Sequence, residues 1–575
     1  MKIDFSKHQG YCFGVRRAMD LAFKSLAQSG PVYSHGSLIH NRAAGDLLAA
    51  KGLKLWPGFV EKGTLATVIV RAHGLAPLAM EELVSQGVKV VDATCPRVLW
   101  VQRLVRAEAS LGRTVLIWGS AGHPEVEGLL GHSLGQGLVI AGPEDIEKLP
   151  DFAATFLVAQ TTQDLEIWSS VVAATLKRWP DAKYRDTICR ATFNRQTETK
   201  RLCRTAQALV VVGGRDSANT QRLAEIGRKA GLPTLAVEGP EEIEPGFVAE
   251  IQSVGLAAGA STPIWRIRAV AQRLEALARR QGGSPKDFFR RLLRSLALSN
   301  LYVGLGAGAL GWAMAKWSGF VPPSFFFGLY FFYVQAMHLL NGFLDRESAR
   351  HNDPDRAVFL SQYRWPLAFC GITCLFLALS AAHLAGPWVL TQLLIQSALG
   401  LAYALPWPFR VFGFKRLSEL PLSKTISTSV GWAALLSLPA ILADPPLMAR
   451  DLAGLKLTGL IFGEVFLEVL SRAMIMDLRE TQGDWLFGRQ TIASFLGRSG
   501  AIKLLATILG VWAIYLLTIW FMGGPSVILW LLVFGPIYNA LFLKRYWRGL
   551  GLMGYQMDII LDARLLICGV AYWLL

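Results

Sequence analysis

The hydrophobic pattern of the chain changes character near residue 290. Before that point, short Val/Ile/Leu runs alternate with charged, Ala-rich segments of helical period. Beyond it, apolar runs approach the ~20 residues that cross a bilayer, and they recur through the rest of the chain. In the first part TVIVRAHG, VKVVDATC, TVLIWGS, TFLVAQTT, ALVVVGG and SVGLAAGAS read as strands, with EELVSQG and TQRLAEIGRKAG among the helices between them. This alternation predicts an α/β architecture. Most of the strand runs end in Gly, Ser, Thr, His or Cys. Ligands collect at the carboxyl ends of strands in such sheets, so a site is expected there.

The stretch RRQGGSPKDFFRRLLRS (Arg279–Ser295) reads as a linker that turns into a basic amphipathic helix. It separates a soluble part, 1–278, from a membrane part, 296–575. Nine spans are expected near 296–316, 321–341, 365–384, 387–405, 426–443, 457–476, 501–522, 525–543 and 556–575. With a cytoplasmic N-terminus, the loops after even-numbered spans carry Arg346, Arg350, Arg356, Arg410, Lys415, Arg416, Lys424, Arg479, Arg489, Arg498, Lys544, Arg545 and Arg548. The opposite loops hold few basic residues, such as Lys316, Arg450 and Lys456. That asymmetry follows the positive-inside rule and predicts a multi-pass protein of the cell inner membrane, its soluble part in the cytoplasm.

Composition sharpens this picture. The 575 residues carry a formal charge of +16, which the loops between spans account for, so nucleic acid is not an expected partner. The seven cysteines show no disulfide framework, and MKIDFSKHQG has no apolar signal core, both in keeping with a reducing compartment.

Three cysteines stand out: Cys12 in GYCFGVRRA, Cys95 in VVDATCPRV and Cys189 in DTICRATFNRQ. Each follows a strand- or turn-like lead and precedes a helical run, as expected of a metal site assembled from three pieces of chain with one coordination position open. His40 (LIHNR), His73 (RAHG) and His123 (AGHPEVEG) also lie at strand ends. Imidazoles and short hydroxyls suit a diphosphate, and Thr161, Thr162, Ser217, Asn219 and Ser261 add to the candidates. GGRDSANTQRLAEIG reads as strand, Gly turn and helix start, where free N–H groups can bind phosphate. Glu125, two residues after His123, offers a carboxyl whose pKa would rise in a desolvated pocket and suit proton delivery.

Together GYCFGVRRA, HNR, AHG, DATCP, GHPEVEG, QTT, the Cys189 segment, GGRDSANT and AAGAS resemble, in order from about residue 3 to 275, the 4-hydroxy-3-methylbut-2-enyl diphosphate reductase (LytB) family. The resemblance implies a three-lobed α/β trefoil around a central [4Fe–4S] cluster, held by Cys12, Cys95 and Cys189. It implies reductive removal of an allylic hydroxyl, giving isopentenyl and dimethylallyl diphosphates, the last step of the non-mevalonate pathway. It further implies substrate contacts from His40, His73, His123, Thr161, Ser217, Asn219 and Ser261, and a proton from Glu125. A low-potential donor such as ferredoxin or flavodoxin would supply the electrons. Two positions depart from the family pattern. Ala218 stands where a second serine is common, and Arg97–Gln102 replaces a run that often contains Lys-x-His.

The membrane part carries NGFLDRESARHNDPDR and MDLRETQGDWLFGRQT, two acidic clusters following even-numbered spans. Such clusters can bind Mg²⁺, which grips a diphosphate. This part resembles the UbiA prenyltransferase superfamily, all-α with about nine helices, and the implied Mg²⁺ and prenyl diphosphate ligands are Asn341, Asp345, Asp477, Glu480 and Asp484. Gly342 and Ala349 replace two carboxylates of the superfamily's first motif, with Asp353 and Asp355 lying just beyond. The leading expectation is therefore a membrane-anchored reductase. The alternatives are a membrane prenyltransferase transferring a prenyl group to an aromatic or lipid acceptor, and a tethered redox or binding protein without turnover.

Overall fold

In the computed structural model the described residues are 1–28, 30–61, 65–279, 285–344, 353–404, 420, 422–443, 452–486, 491–523, 530–531, 533–547 and 555–574. The chain divides into two compact units, Met1–Gly282 and Gly283–Leu575.

The first unit opens with β1 (Lys2–Phe5) and α1 (Phe13–Leu26). A group follows of β2 (Val32–His35), α2 (Arg42–Ala50), β3 (Leu53–Leu55), β4 (Thr67–Val70), α3 (Pro77–Ser85), β5 (Lys89–Asp92) and α4 (Pro96–Ser110). The pattern repeats as β6 (Thr114–Trp118), α5 (Pro124–His132), β7 (Gly137–Ile140), α6 (Pro143–Ile146), β8 (Thr155–Ala159), α7 (Leu165–Arg178), β9 (Lys183–Arg185) and α8 (Arg190–Thr205). It begins again with β10 (Ala208–Val212), α9 (Ala218–Lys229), β11 (Thr234–Val237), β12 (Ser253–Ala258) and α10 (Ile264–Arg279).

These strands form three four-stranded sheets ordered β3-β2-β4-β5, β7-β6-β8-β9 and β11-β10-β12-β1. All pairings are parallel. The order is the same each time, except that the fourth strand of the last sheet comes from the start of the chain, with Lys2 opposite Ser253. Buried parallel strands need apolar residues on both faces, and all five residues of β10 are buried. Val210 and Val212 pack toward Ile267, Val270 and Leu274 of α10. Leu209 and Val211 pack on the other side with Leu202, Leu223 and Ala224.

The second unit is helical. It contains α11 (Pro285–Leu298), α12 (Leu301–Trp317), α13 (Phe325–Leu344), α14 (Pro354–Gln362), α15 (Arg364–Ala385), α16 (Pro387–Ala404), α17 (Ser423–Ala443), α18 (Leu452–Leu486), α19 (Ile492–Phe521), a π-helical turn (Val533–Ile537), α20 (Tyr538–Trp547) and α21 (Tyr555–Leu574). About twelve helical elements replace the expected nine: the amphipathic entry helix expected after the linker is α11, outside the nine runs, and a search for long apolar runs passes over the short α14. Among the described residues three helices are long and apolar enough to span a membrane: Arg364–Ala385, Ser423–Ala443 and Ser499–Phe521. A fourth is formed if the bent pair Leu292–Leu298 and Leu301–Trp317 counts as one span. The long α18 and the terminal α21 instead carry buried ionisable residues.

Those residues pair inside the bundle. Asp558 of α21 accepts from Arg479 of α18 and from Arg356 of α14, whose guanidinium also donates to Asn300 at 2.7 Å. Arg472 pairs with Asp562, and Arg564 lies 3.6 Å from Glu468. Truncating one partner of a buried pair leaves its mate uncompensated, at about 3–5 kcal/mol. Asp558→Asn should therefore lower the temperature at which the detergent-solubilised protein loses helical circular dichroism. An unchanged melting curve would show that this network does not hold the helices together.

Candidate functional site

The three cysteines occupy equivalent places. Cys12, Cys95 and Cys189 are the N-caps of α1, α4 and α8, each following the edge strand of a different sheet. Each backbone N–H donates, at 2.9 Å, to a carbonyl in the loop after the neighbouring strand: Cys12 to Ala260, Cys95 to Ala72 and Cys189 to Thr161. The repeated strand order thus delivers three thiols on three helix N-termini. They lie close enough that Cys12 and Cys189 both raise the pKa of Cys95. Burial is the larger upward cause there, and the N–H groups of Arg97 and Val98 act against it. Gly14 makes room for the approach, since a Cβ at that position would lie 2.5 Å from the Cys95 Sγ.

Beside the thiols the loops bring the three histidines together. His40, His73 and His123 have ring nitrogens within 4.8 Å of one another, and ring centroids 4.7, 5.7 and 5.3 Å apart. Burial lowers all three pKa values, that of His123 to about 4 and that of His73 well below the usual range, and mutual repulsion adds to the effect on His73. The His123 Nδ1 accepts the Glu125 N–H at 3.1 Å, so the neutral ring carries its proton on Nε2. The His40 Nε2 is buried without a hydrogen-bond partner.

Glu125, on the first turn of α5, is 2% exposed. Its carboxylate accepts the Thr161 N–H at 2.7 Å and the Thr161 hydroxyl at 2.9 Å. Burial pushes its pKa up, and the two Thr161 bonds partly oppose this. Because the Thr161 carbonyl receives the Cys189 N–H, one residue links the acid to a thiol-bearing cap. Ser261 donates to the His40 carbonyl at 2.8 Å. The Ser217 hydroxyl caps α9 by accepting the Thr220 N–H. Asn219 is 3% exposed, and both polar atoms of its side chain lack partners. The soluble-part candidates therefore fall on strand-end loops and helix caps of one unit, with Ser261, Thr161 and Glu125 already engaged and the Asn219 amide unspent.

Two residues escaped the sequence reading. Arg71, half-buried two positions before His73, lowers the pKa of all three histidines and is the cation of this pocket. A charge at the end of a buried strand was the available signal. Gln102 fills the departure after Cys95: it is 3% exposed and lies against Gly74 and Gly128, between the His73 loop and α5.

In the second unit Asp477 is buried on α18, accepts from the Thr425 hydroxyl at 2.5 Å and lies 3.6 Å from the Lys424 Nζ. Asn341 is exposed near the end of α13. Asp345 lies outside the described residues, as do the side chains of Glu480 and Asp484. Asp353 caps α14 and lies 3.7 Å from the guanidinium of Arg356, and Asp355 pairs with Arg294.

Three cysteine-capped helix N-termini, with a buried acid and three clustered imidazoles on loops and caps of the same unit, are an arrangement suited to a thiolate-held metal centre. The chain belongs, through its N-terminal half, to the 4-hydroxy-3-methylbut-2-enyl diphosphate reductase family, an iron–sulfur enzyme family: the LytB protein profile matches residues 3–275. It is 38% identical over 277 residues to the reductase of Geobacter metallireducens, covering 48% of this chain and 98% of that one. To the reductase of Solidesulfovibrio magneticus it is 39% identical over 291 residues, covering 48% and 100%. A solved (E)-4-hydroxy-3-methyl-but-2-enyl diphosphate reductase shares 36% identity, with a TM-score of 0.39 over 48% of this chain and 99% of the other. A UbiA homolog from Aeropyrum pernix K1 covers another 48% at 14% identity and TM-score 0.38, with 99% of its own length matched.

The residues present fit an iron–sulfur cluster: three soft donors on helix N-termini, and a Gly14 that keeps the Cys95 thiol clear. Gly14→Ala should favour α1 itself by about 1 kcal/mol. It should nonetheless cost the protein its iron, measured by colorimetric iron analysis after anaerobic purification. Full iron content in that variant would show that the close approach is not needed.

Proposed function

We propose that the first unit removes the allylic hydroxyl of 4-hydroxy-3-methylbut-2-enyl diphosphate as water, consuming two electrons and two protons and yielding isopentenyl and dimethylallyl diphosphates. The observation that supports this most strongly is the convergence of Cys12, Cys95 and Cys189 beside Glu125 and the three histidines. Cys12, Cys95 and Cys189 would hold a [4Fe–4S] cluster at the centre of a trefoil of three lobes. That cluster, when bound, supplies electrons and a Lewis-acidic iron for the hydroxyl. The electrons come from a low-potential protein donor of the ferredoxin or flavodoxin kind.

The other residues bind, orient and deliver protons. The diphosphate lies against His40, His73, His123, Ser217, Asn219 and Ser261, with Arg71 as its permanent cation. In free protein the imidazoles are neutral, because burial and one another's charge oppose protonation. An entering anion reverses that balance, so binding takes up protons and weakens as pH rises. Calorimetry with inorganic pyrophosphate near neutral pH, in buffers of different ionisation heat, should show net proton uptake. Zero uptake would remove the histidines from the diphosphate site.

Glu125 holds the proton for the departing hydroxyl. Its raised pKa keeps part of the population protonated where an ordinary glutamate is ionised. Turnover that needs this proton should fall as pH increases through that pKa. Glu125→Gln should keep the iron and lose turnover by about a hundredfold or more. The decisive measurement is an anaerobic assay with the hydroxylated diphosphate and a strong reductant. Unchanged turnover in Glu125→Gln would exclude it as the donor.

The second unit associates with the membrane, and we propose that it carries nine spans with both termini of the unit disposed as the positive-inside pattern dictates, placing the reductase in the cytoplasm at an inner membrane. Asn341, Asp345, Asp477, Glu480 and Asp484 are its proposed Mg²⁺ and prenyl diphosphate ligands. The burial of Asp477 on α18 supports that reading.

A further inference from the structure

Each of the three cysteine-capped helices carries an arginine that reaches into the next lobe. Arg17, on α1 behind Cys12, donates to the carbonyls of Thr94 at 3.0 Å and Asp92 at 3.1 Å, immediately ahead of Cys95. Arg97, on α4 behind Cys95, donates to Asp186 at 3.2 Å and Ile188 at 3.3 Å, immediately ahead of Cys189. Arg195, on α8 behind Cys189, donates to His8 at 2.7 Å and Gly10 at 2.7 Å, ahead of Cys12, and to Ala258 at 3.0 Å. The circuit closes on itself.

Among the described residues none of these three guanidiniums has a carboxylate within salt-bridge distance. The hydrogen bonds all three make from their terminal nitrogens go to backbone carbonyls, and Arg97 also lies 4.3 Å from the Trp100 ring centroid. A planar guanidinium can span two carbonyls at fixed spacing, as a lysine cannot. Arg195 is the most deeply placed, 4% exposed, and a buried cation is costly without an anion nearby.

We infer that Arg17, Arg97 and Arg195 form a cyclic clasp, each helix fixing the backbone that leads into the next cysteine. The inference rests on the reading of the three cysteines as cluster ligands. The arginines are positioning residues: the clasp sets the spacing of the thiols before any iron arrives.

The test uses the full chain, purified anaerobically, with Cys95→Ser as reference. Arg17→Gln and Arg97→Gln should release iron to a chelator about tenfold to a hundredfold faster than the parent, the range for lost outer contacts at metal sites. Arg195→Gln should do the same. Arg195→Lys should leave the iron labile, because the charge returns and the multi-carbonyl span does not. Parent-like iron release in both Arg17→Gln and Arg97→Gln overturns the clasp. If Arg195→Gln assembles no cluster although its circular dichroism is native, the clasp is supported at that link; parent-like iron retention in Arg195→Lys shows that charge alone suffices there and overturns the clasp at that link. A full cluster in Cys95→Ser would sink the ligand assignment itself, a result distinct from failure of the clasp.

Discussion

Bringing Cys12 and Cys189 close to Cys95 opposes ionisation of the Cys95 thiol, and the first unit is arranged around that cost. Each thiol sits at the N-cap of a helix, where unpaired N–H groups and the helix dipole favour negative charge. At Cys95 the two forces are visible side by side: burial and the other two thiols work against ionisation, while the N–H groups of Arg97 and Val98 work for it. Three helix ends can only be aimed together if three sheets present their edge strands alike, and the common strand order does so. The threefold repetition is thus the geometric answer to an electrostatic requirement.

Closing the third sheet depends on the pairing of β1 with β12, which lie some 250 residues apart in sequence. Cys12 follows β1, so the first cysteine joins the others only when the beginning of the unit finds its end. Pairing over such a separation carries a loop-closure cost that slows its formation. The acid shares this logic: Glu125 of the second sheet's first loop meets Thr161 after its third strand, and that same residue receives the Cys189 N–H. The proton-bearing group and the ligand-bearing cap are fixed by one threonine.

Much of this was legible in the sequence where the chemistry resides in the residue itself. Cysteines, histidines and Glu125 at strand ends stood out because polar groups there have few structural duties. Their grouping was not legible. That Gly14 yields to Cys95, or that Ser217 spends its hydroxyl on a helix cap, depends on distances between segments that no periodicity encodes. Arginines were the least legible. Arg17, Arg97 and Arg195 look like surface charge on helical runs, and only their carbonyl partners, 63 or more residues away, give them meaning. In the second unit the apolar runs predicted helices and the basic amphipathic stretch predicted α11, but the short α14 fell between the runs.

The ionisable residues of that helical unit follow a different rule. Glu464, Glu468, Arg472 and Arg479 share α18, and Asp558, Asp562 and Arg564 share α21. Along α18 this stripe extends about 22 Å at the helical rise, most of the thickness of a hydrocarbon core. Pairs at Arg479–Asp558, Arg472–Asp562 and Arg564–Glu468 make three rungs between the same two helices. Sliding one helix by a turn would leave charges facing apolar neighbours, so the rungs specify register more than they add stability. Among the described residues Glu464, at the end of the ladder, has no guanidinium within salt-bridge distance and is held by the Trp512 indole N–H at 2.6 Å. The same trade governs both units. Buried charge is tolerated where the fold supplies a specific partner: an opposite charge between α18 and α21, and backbone carbonyls around Arg195.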